Sequence, residues 1–132
     1  MEKKRVLFID DDACVQESIR RALSARGYDV AVVPDGRSGL DAAGRERPDV
    51  VLLDLGLPDG HGFAIVHQLR DLSAMAGVPI IAMGGCRADT YGPRALTVGA
   101  CCYLEKPAPV TMVLDAIERA CDAPAARFGD CC

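Results

Sequence analysis

The sequence predicts a single doubly wound α/β domain, in which a five-stranded parallel sheet carries helices on both faces. Five short apolar segments alternate with five helical segments, and short loops join them. This alternation is typical of βαβ units. The third apolar segment, residues 50–53, has four apolar residues in a row, as expected of a strand buried on both faces. A length of 132 residues suffices for one domain with one core.

In the first half of the chain, apolar runs and helical periodicity predict three strands and two helices. The strands are expected at residues 5–9, 29–33 and 50–53, and the helices at 13–26 and 36–47. The first helix has one apolar stripe, made of Val15, Ile19, Ala22 and Leu23. The second helix is weak by propensity because it contains glycines, and it is expected to bury Leu40, Ala43 and Gly44.

In the second half, helices are expected at residues 63–72, 93–98 and 109–121, and strands at 80–83 and 101–104. The fourth helix is short because Gly92-Pro93 would break a helix already running there, so it is expected to begin near Pro93 and to end before Gly99. The third and fifth helices are expected to bury Phe63, Val66, Leu69, Val110, Val113, Leu114 and Ile117. We expect residues 1–122 to form the domain and residues 123–132 to be a flexible tail.

Charge and composition exclude several classes of function. The net charge of -4 and the low aromatic content provide no surface for nucleic acid. No segment is long enough to span a membrane and no signal peptide is recognisable, so a cytoplasmic protein is expected. The seven cysteines include no C-x-x-C pair, and His61 and His67 are not spaced with them as in a zinc site. Reduced thiols and exposed histidines are therefore expected.

Charged residues follow three of the predicted strands at the points where these strands end. Asp10 and Asp11 follow the first strand, Asp54 ends the third and Lys106 follows the fifth. Because the carboxyl ends of parallel strands meet at one edge of the sheet, these side chains can converge. Clustered carboxylates raise each other's pKa and remain ionised only beside cations, which Lys106 and a hard divalent ion such as Mg²⁺ would supply. Such a set suits a carboxylate nucleophile that forms an aspartyl-phosphate.

Four segments of the chain together resemble the receiver domains of two-component response regulators. They are residues 6–12, 54–62, 79–83 and 99–107, and they follow each other in the order and at the spacing of that family. The resemblance implies a flavodoxin-like (βα)5 fold with strand order 2-1-3-4-5. It also implies that Asp54 is the phosphoacceptor, and that Asp10, Asp11, Asp54 and the backbone carbonyl of Gly56 bind Mg²⁺. Lys106 would contact the phosphoryl oxygens, and Tyr103 would be the aromatic switch residue.

The resemblance further implies a signalling module and not an enzyme, apart from self-catalysed phosphorylation and dephosphorylation. A histidine kinase or a histidine phosphotransfer domain would donate the phosphoryl group. A downstream protein would bind the face formed by the fourth helix, the fifth strand and the fifth helix. Neither a nucleic acid nor a membrane is expected as a direct partner. The peptide bond before Pro107 would be cis, and Asp12, outside the acidic pair, is expected to cap the first helix.

One position departs from the family pattern. Gly84 stands where the family has a threonine or serine, whose hydroxyl binds the phosphoryl group and couples it to the aromatic switch. Because of this departure, one alternative is that the chain is a degenerate receiver, which binds proteins without being phosphorylated. A further alternative is a small phosphatase of the haloacid dehalogenase class with Asp10 as its nucleophile. That alternative gives no role to Asp54 or to Pro58, and the chain is short for that fold.

Overall fold

The computed structural model describes residues 3–57 and 62–122. Its five strands are β1 (Arg5–Ile9), β2 (Asp29–Val33), β3 (Val50–Asp54), β4 (Ile80–Gly84) and β5 (Cys102–Glu105). Its five α-helices are α1 (Ala13–Ala25), α2 (Gly36–Arg45), α3 (Gly62–Asp71), α4 (Ala88–Val98) and α5 (Val110–Asp122), and a short 3-10 helix covers Ser73–Met75. The predicted elements are all present, most of them within one or two residues of the expected bounds.

The strands form one parallel sheet in the order β2-β1-β3-β4-β5. The predicted doubly wound fold with flavodoxin-like strand order is therefore confirmed. Every residue of β3 is buried, because helices cover both faces of the sheet at its centre. One core lies between the sheet and the pair α1 and α5, and the other lies between the sheet and α2, α3 and α4. Among the described helices, none combines the length and apolar character needed to cross a membrane.

The glycines of α2 allow this helix to lie directly against β1. A Cβ atom on Gly39 would overlap the side chain of Ile9, so a larger residue could not occupy this position without a shift of Ile9 or of the helix. Gly39 and Ala43 are buried. Gly44, which was also expected to face inwards, is exposed and has open space around it. The low helix propensity of the glycines in α2 is thus offset by the close packing that Gly39 allows.

The predicted start of α4 is wrong, because the helix begins at Ala88 and contains Pro93. The Ala88 N–H donates to Glu105 Oε1 at 2.7 Å, which satisfies one of the free donors of the first turn. Gly92 lacks the Cβ atom that would collide with the ring of a following proline. The helix ends as predicted at Val98, and its C-cap residue Gly99 has a φ of 118°, which favours glycine.

Replacing Pro93 with alanine is expected to stabilise the protein. Proline within a helix costs about 3 kcal/mol relative to alanine, and the greater freedom of the unfolded variant offsets up to about 1 kcal/mol of this. We therefore expect the free energy of unfolding in urea to rise by about 2 kcal/mol. Pro34, exposed in the loop after β2, is the control, and Pro34→Ala should leave stability unchanged or slightly lower. Equal effects of the two substitutions would contradict a strained α4.

Two further expectations need correction. Val110 was expected to be buried but is 38% exposed, because it is the first residue of α5 and no preceding turn covers it. Cys14, Cys86 and Cys121 are free thiols as expected, whereas Cys101 and Cys102 are disulfide-bonded. Cysteine spacing could not reveal this, because a disulfide depends on which thiols the fold brings together. His67 is exposed as predicted; His61 and the expected tail at 123–132 lie outside the described residues.

Candidate functional site

The carboxyl ends of β1, β3 and β5 bring charged side chains together at one edge of the sheet. Pairing of Ile9 with Leu53 aligns the ends of β1 and β3. Ligand atoms from Asp10, Asp11 and Asp54 all lie within 4.8 Å of one another. Lys106 Nζ lies 3.1 Å from Asp54 Oδ2 and 3.9 Å from Asp10 Oδ2. The four residues that were expected to converge are therefore adjacent in the structure.

Asp10 is fully buried and only partly satisfied by hydrogen bonds. Its Oδ1 accepts a hydrogen bond from the Asp12 N–H at 2.8 Å. Its Oδ2 is buried without a hydrogen-bond partner among the residues that the structure describes. Burial raises the pKa of the Asp10 carboxyl, the Asp12 N–H opposes this, and the charge of Asp54 raises the pKa further. The ionised carboxylate thus needs more positive charge than Lys106 supplies.

Asp11 and Asp12 are exposed and differ in what they bind. Asp12 is the N-cap of α1, and its Oδ1 accepts hydrogen bonds from the Cys14 N–H at 2.9 Å and the Val15 N–H at 3.2 Å. The prediction of a capping role for Asp12 is confirmed. Asp11 is left to face the other carboxylates. Because the side chain of Asp11 is exposed, an ion could reach the cluster from this direction.

The loop after β3 orients the carboxylate of Asp54. Its Oδ1 accepts a hydrogen bond from the Gly56 N–H at 3.0 Å, and its Oδ2 faces Lys106. Asp54 is 7% exposed, so its side chain is buried on most sides but still reaches the surface. The carboxylate is therefore fixed by two partners while one approach from solvent remains open. The role of the Gly56 carbonyl as a metal ligand stays a prediction.

Lys106 is positioned by the sheet itself. Its backbone N–H donates to the Gly84 carbonyl at 2.8 Å, which continues the pairing of β5 with β4. The peptide bond between Lys106 and Pro107 is cis, as predicted. The Lys106 side chain is 30% exposed, so its ammonium group lies at the mouth of the site.

Sequence reasoning missed the side chain of Gln16, which reaches back to the site. Its amide nitrogen donates to the backbone carbonyl of Asp10. This contact ties the first turns of α1 to the loop that carries the acidic pair. No motif signals it, because the contact depends on which face of α1 lies above the end of β1.

Tyr103 lies next to Gly84 on the side of the sheet that is covered by α3 and α4. It is 8% exposed, and its hydroxyl group donates to the Cys86 carbonyl at 2.6 Å. Burial raises the pKa of the Tyr103 phenol to about 12. The ring meets Tyr91 edge to face, with 6.1 Å between the centroids, and Tyr91 meets Phe63 in the same way at 4.9 Å. The sequence did not predict this aromatic row.

The carboxylates fit a hard divalent cation. Three of them supply oxygen atoms within reach of one ion, which is the donor type that Mg²⁺ and Ca²⁺ prefer. The buried Asp10 Oδ2 has no other partner in the part of the chain that is described. A cation there would satisfy this atom and reduce the repulsion between Asp10 and Asp54. The cluster can therefore hold a metal beside a nucleophilic carboxylate and an ammonium group.

Comparison with known proteins identifies relatives along most of the chain. The family model described as response regulator receiver domain matches residues 6–118. Response regulator MprA of Mycolicibacterium vanbaalenii is 40% identical over 103 residues, which are 78% of this chain and 44% of that protein. Transcriptional regulatory protein CseB of Streptomyces avermitilis is 39% identical over 107 residues, or 80% of this chain and 44% of that protein. The chain thus spans less than half the length of these relatives.

Solved structures show the same fold. Chemotaxis response regulator CheY4 of Vibrio cholerae superposes with a TM-score of 0.85 at 28% identity, over 90% of this chain and 99% of that one. The receiver domain of sensor histidine kinase PA1611 from Pseudomonas aeruginosa gives a TM-score of 0.83 at 27% identity, over 92% and 100%, and carries a magnesium ion in its active site cleft. These matches favour neither the haloacid dehalogenase alternative nor the degenerate receiver.

Proposed function

The chain belongs to the response regulator receiver domains, and from this premise we propose that Asp54 accepts a phosphoryl group with the help of Mg²⁺. The chain acts as a phosphoacceptor module of two-component signalling. The observation that carries the assignment to Asp54 is its pairing with Lys106 at 3.1 Å, at the accessible centre of an acidic cluster. Asp10 is fully buried, and within the described part of the chain Lys106 forms ion pairs with Asp10 and Asp54 but not with Asp11, so Asp54 suits the nucleophile best.

The geometry supports a direct transfer. An oxygen of the Asp54 carboxylate attacks the phosphorus atom, a new P–O bond forms, and the bond from phosphorus to the donor breaks with its electron pair leaving on the donor. The Gly56 N–H holds Oδ1 of Asp54 and limits its rotation. The Lys106 ammonium group stabilises the negative charge on the phosphoryl oxygens. Phosphohistidine or acetyl phosphate can serve as the donor, since the first releases an imidazole and the second releases acetate.

Asp10, Asp11, Asp54 and the Gly56 carbonyl would hold the Mg²⁺. The unpartnered Oδ2 of Asp10 and the oxygen-only donor set support this proposal. When bound, the ion neutralises charge on the phosphoryl oxygens. The magnesium ion in the receiver domain of PA1611 is consistent with the same use of the cluster.

The partners follow from the role as phosphoacceptor. A histidine kinase or a histidine phosphotransfer domain donates the phosphoryl group, and a downstream protein binds the face formed by α4, β5 and α5. The chain itself contacts neither nucleic acid nor membrane, catalyses only its own phosphorylation and dephosphorylation, and works in the cytoplasm. MprA and CseB are longer than the matched region. We therefore keep open both a stand-alone receiver and one that belongs to a larger regulator or hybrid kinase.

Incubation of the protein with acetyl phosphate tests this proposal. With Mg²⁺ present, intact mass spectrometry should show a gain of one phosphoryl group, and hydroxylamine should remove it because acyl phosphates react with this nucleophile. With EDTA in place of Mg²⁺, the gain should be lost. If no donor produces the gain, including a purified histidine phosphotransfer domain, the chain is a receiver that binds proteins without phosphorylation. Gly84, which lacks the hydroxyl group of the family pattern, is the observation that favours that second function.

A further inference from the structure

Tyr103 occupies the space that a side chain at position 84 would need. A Cβ atom on Gly84 would lie 2.9 Å from the Tyr103 hydroxyl oxygen and 3.3 Å from Tyr103 Cε1. The same atom would lie 3.5 Å from Leu55 Cδ1, so the gap is closed on a second side. The present position of the ring and any branched side chain at position 84 therefore exclude each other.

The contacts that hold the Tyr103 ring do not involve the charged cluster. The hydroxyl group is bound by the Cys86 carbonyl, in the loop between β4 and α4. The ring meets Tyr91 edge to face, and Tyr91 in turn packs against Phe63. Arg94 covers this row, with its guanidinium carbon 4.3 Å from the Phe63 centroid and 5.2 Å from the Tyr91 centroid. All these partners are protein atoms, so none of these contacts requires a phosphoryl group or a metal.

We propose that residue 84 is a steric gate for Tyr103, and that glycine leaves this gate open, so that Tyr103 stays buried whether or not Asp54 is phosphorylated. At the end of β4 there is no side chain that could move towards a phosphoryl group and thereby change the volume available to the ring. The surface next to Tyr103 is then the same in both states. The part of this inference that concerns the phosphorylated state depends on the proposed function, and the part that concerns residue 84 does not.

Fluorine NMR of protein labelled with 3-fluorotyrosine tests the gate. The chain has three tyrosines, Tyr28, Tyr91 and Tyr103, and tyrosine-to-phenylalanine variants assign their signals. A soluble paramagnetic gadolinium chelate attenuates the signals of exposed rings. In the unsubstituted chain we expect the Tyr103 signal to be shielded, and to remain so after addition of Mg²⁺ and beryllofluoride, which mimics the phosphoryl group.

Substitutions at position 84 should expose Tyr103. Gly84→Val and Gly84→Thr have nearly the same shape, and both are expected to increase the attenuation of the Tyr103 signal several-fold. Gly84→Ala adds one methyl group, should give a smaller increase, and serves if the larger side chains unfold the protein. Gly85→Val is the matched control in the same loop, because a Cβ atom on Gly85 has open space around it; Tyr103 should stay shielded there. The Tyr28 signal, from the opposite face of the sheet, reports whether each variant is folded.

Three results would overturn the inference: an exposed Tyr103 in the unsubstituted chain, a change in its shielding on addition of beryllofluoride, or a shielded Tyr103 in folded Gly84→Val and Gly84→Thr. Exposure in Gly84→Thr but not in Gly84→Val would also contradict it, since a hydroxyl effect would then replace the steric one. If beryllofluoride does not bind, the proposed function fails. The comparison of the position 84 variants without beryllofluoride still tests whether the size of residue 84 controls the burial of Tyr103.

Discussion

Asp54→Ala is expected to reduce phosphorylation by acetyl phosphate at least about 100-fold, because the substitution removes the carboxylate that we propose to form the bond to phosphorus. We expect neither Asp10 nor Asp11 to replace it, since Asp10 is fully buried and, among the described carboxylates, only Asp54 lies within 3.1 Å of Lys106 Nζ. Intact mass spectrometry after incubation with Mg²⁺ and acetyl phosphate measures the phosphorylated fraction. The fold should persist, because a buried carboxylate among like charges contributes little to stability.

Asp12→Asn is the control for this experiment. Asp12 lies beside the cluster but caps α1, and asparagine is an equally good N-cap residue. The variant should therefore be phosphorylated like the unsubstituted chain. If Asp54→Ala kept the mass gain and a separate Asp10→Ala variant lost it, the nucleophile would be Asp10. Such a result would favour the phosphatase chemistry that was considered from the sequence.

Asp10→Asn is expected to make the metal-free protein more stable and to remove its response to Mg²⁺. At pH 7, replacing the buried and partly unsatisfied Asp10 carboxyl group should raise the free energy of unfolding by about 1–3 kcal/mol. Mg²⁺ should then stabilise the unsubstituted chain, since a ligand that binds only the folded state shifts the equilibrium towards it. The variant should gain little, because it lacks one of the three carboxylates. Urea unfolding with EDTA and with Mg²⁺ measures both effects.

Asp10 makes the stability of the metal-free protein depend on pH, and the direction of this dependence follows from its pKa. Burial raises the pKa of Asp10 in the folded protein above its value in the unfolded chain. The folded state therefore binds the proton more strongly, and without metal the stability contributed by this residue falls as pH rises from the unfolded pKa through the folded one. Asp10→Asn should lack this decrease, whereas the Asp12→Asn control should retain it. A metal-free Asp10→Asn variant that is less stable at pH 7 would show that the Asp10 charge supports the fold.

The sequence predicted the sheet well because the apolar runs of the strands are local signals that tertiary contacts reinforce. The convergence of Asp10, Asp54 and Lys106 followed from one geometric rule, that parallel strands end at the same edge. The start of α4 was missed for the opposite reason. Pro93 is a strong local signal against a helix. This local signal does not include the distant Glu105, seventeen residues from Ala88, whose carboxylate accepts a hydrogen bond from the Ala88 N–H in the first turn of α4.

The sequence also did not predict the aromatic row or the contact of Gln16. Both depend on which side chains meet across elements that are distant along the chain, and periodicity does not carry this information. Gly84 was recognised as a departure from the family pattern. However, only the structure shows that Tyr103 lies in the volume that a side chain at position 84 would need.

Glu105 and Lys106 are consecutive residues, so their side-chain contacts connect two parts of the molecule, the charged cluster and α4. The Lys106 ammonium group faces Asp54, while the Glu105 carboxylate holds the first N–H group of α4. The two contacts join the charged edge of the sheet to the start of a helix that contains a proline. Consecutive residues at the end of β5 therefore anchor both the charged cluster and the first turn of α4.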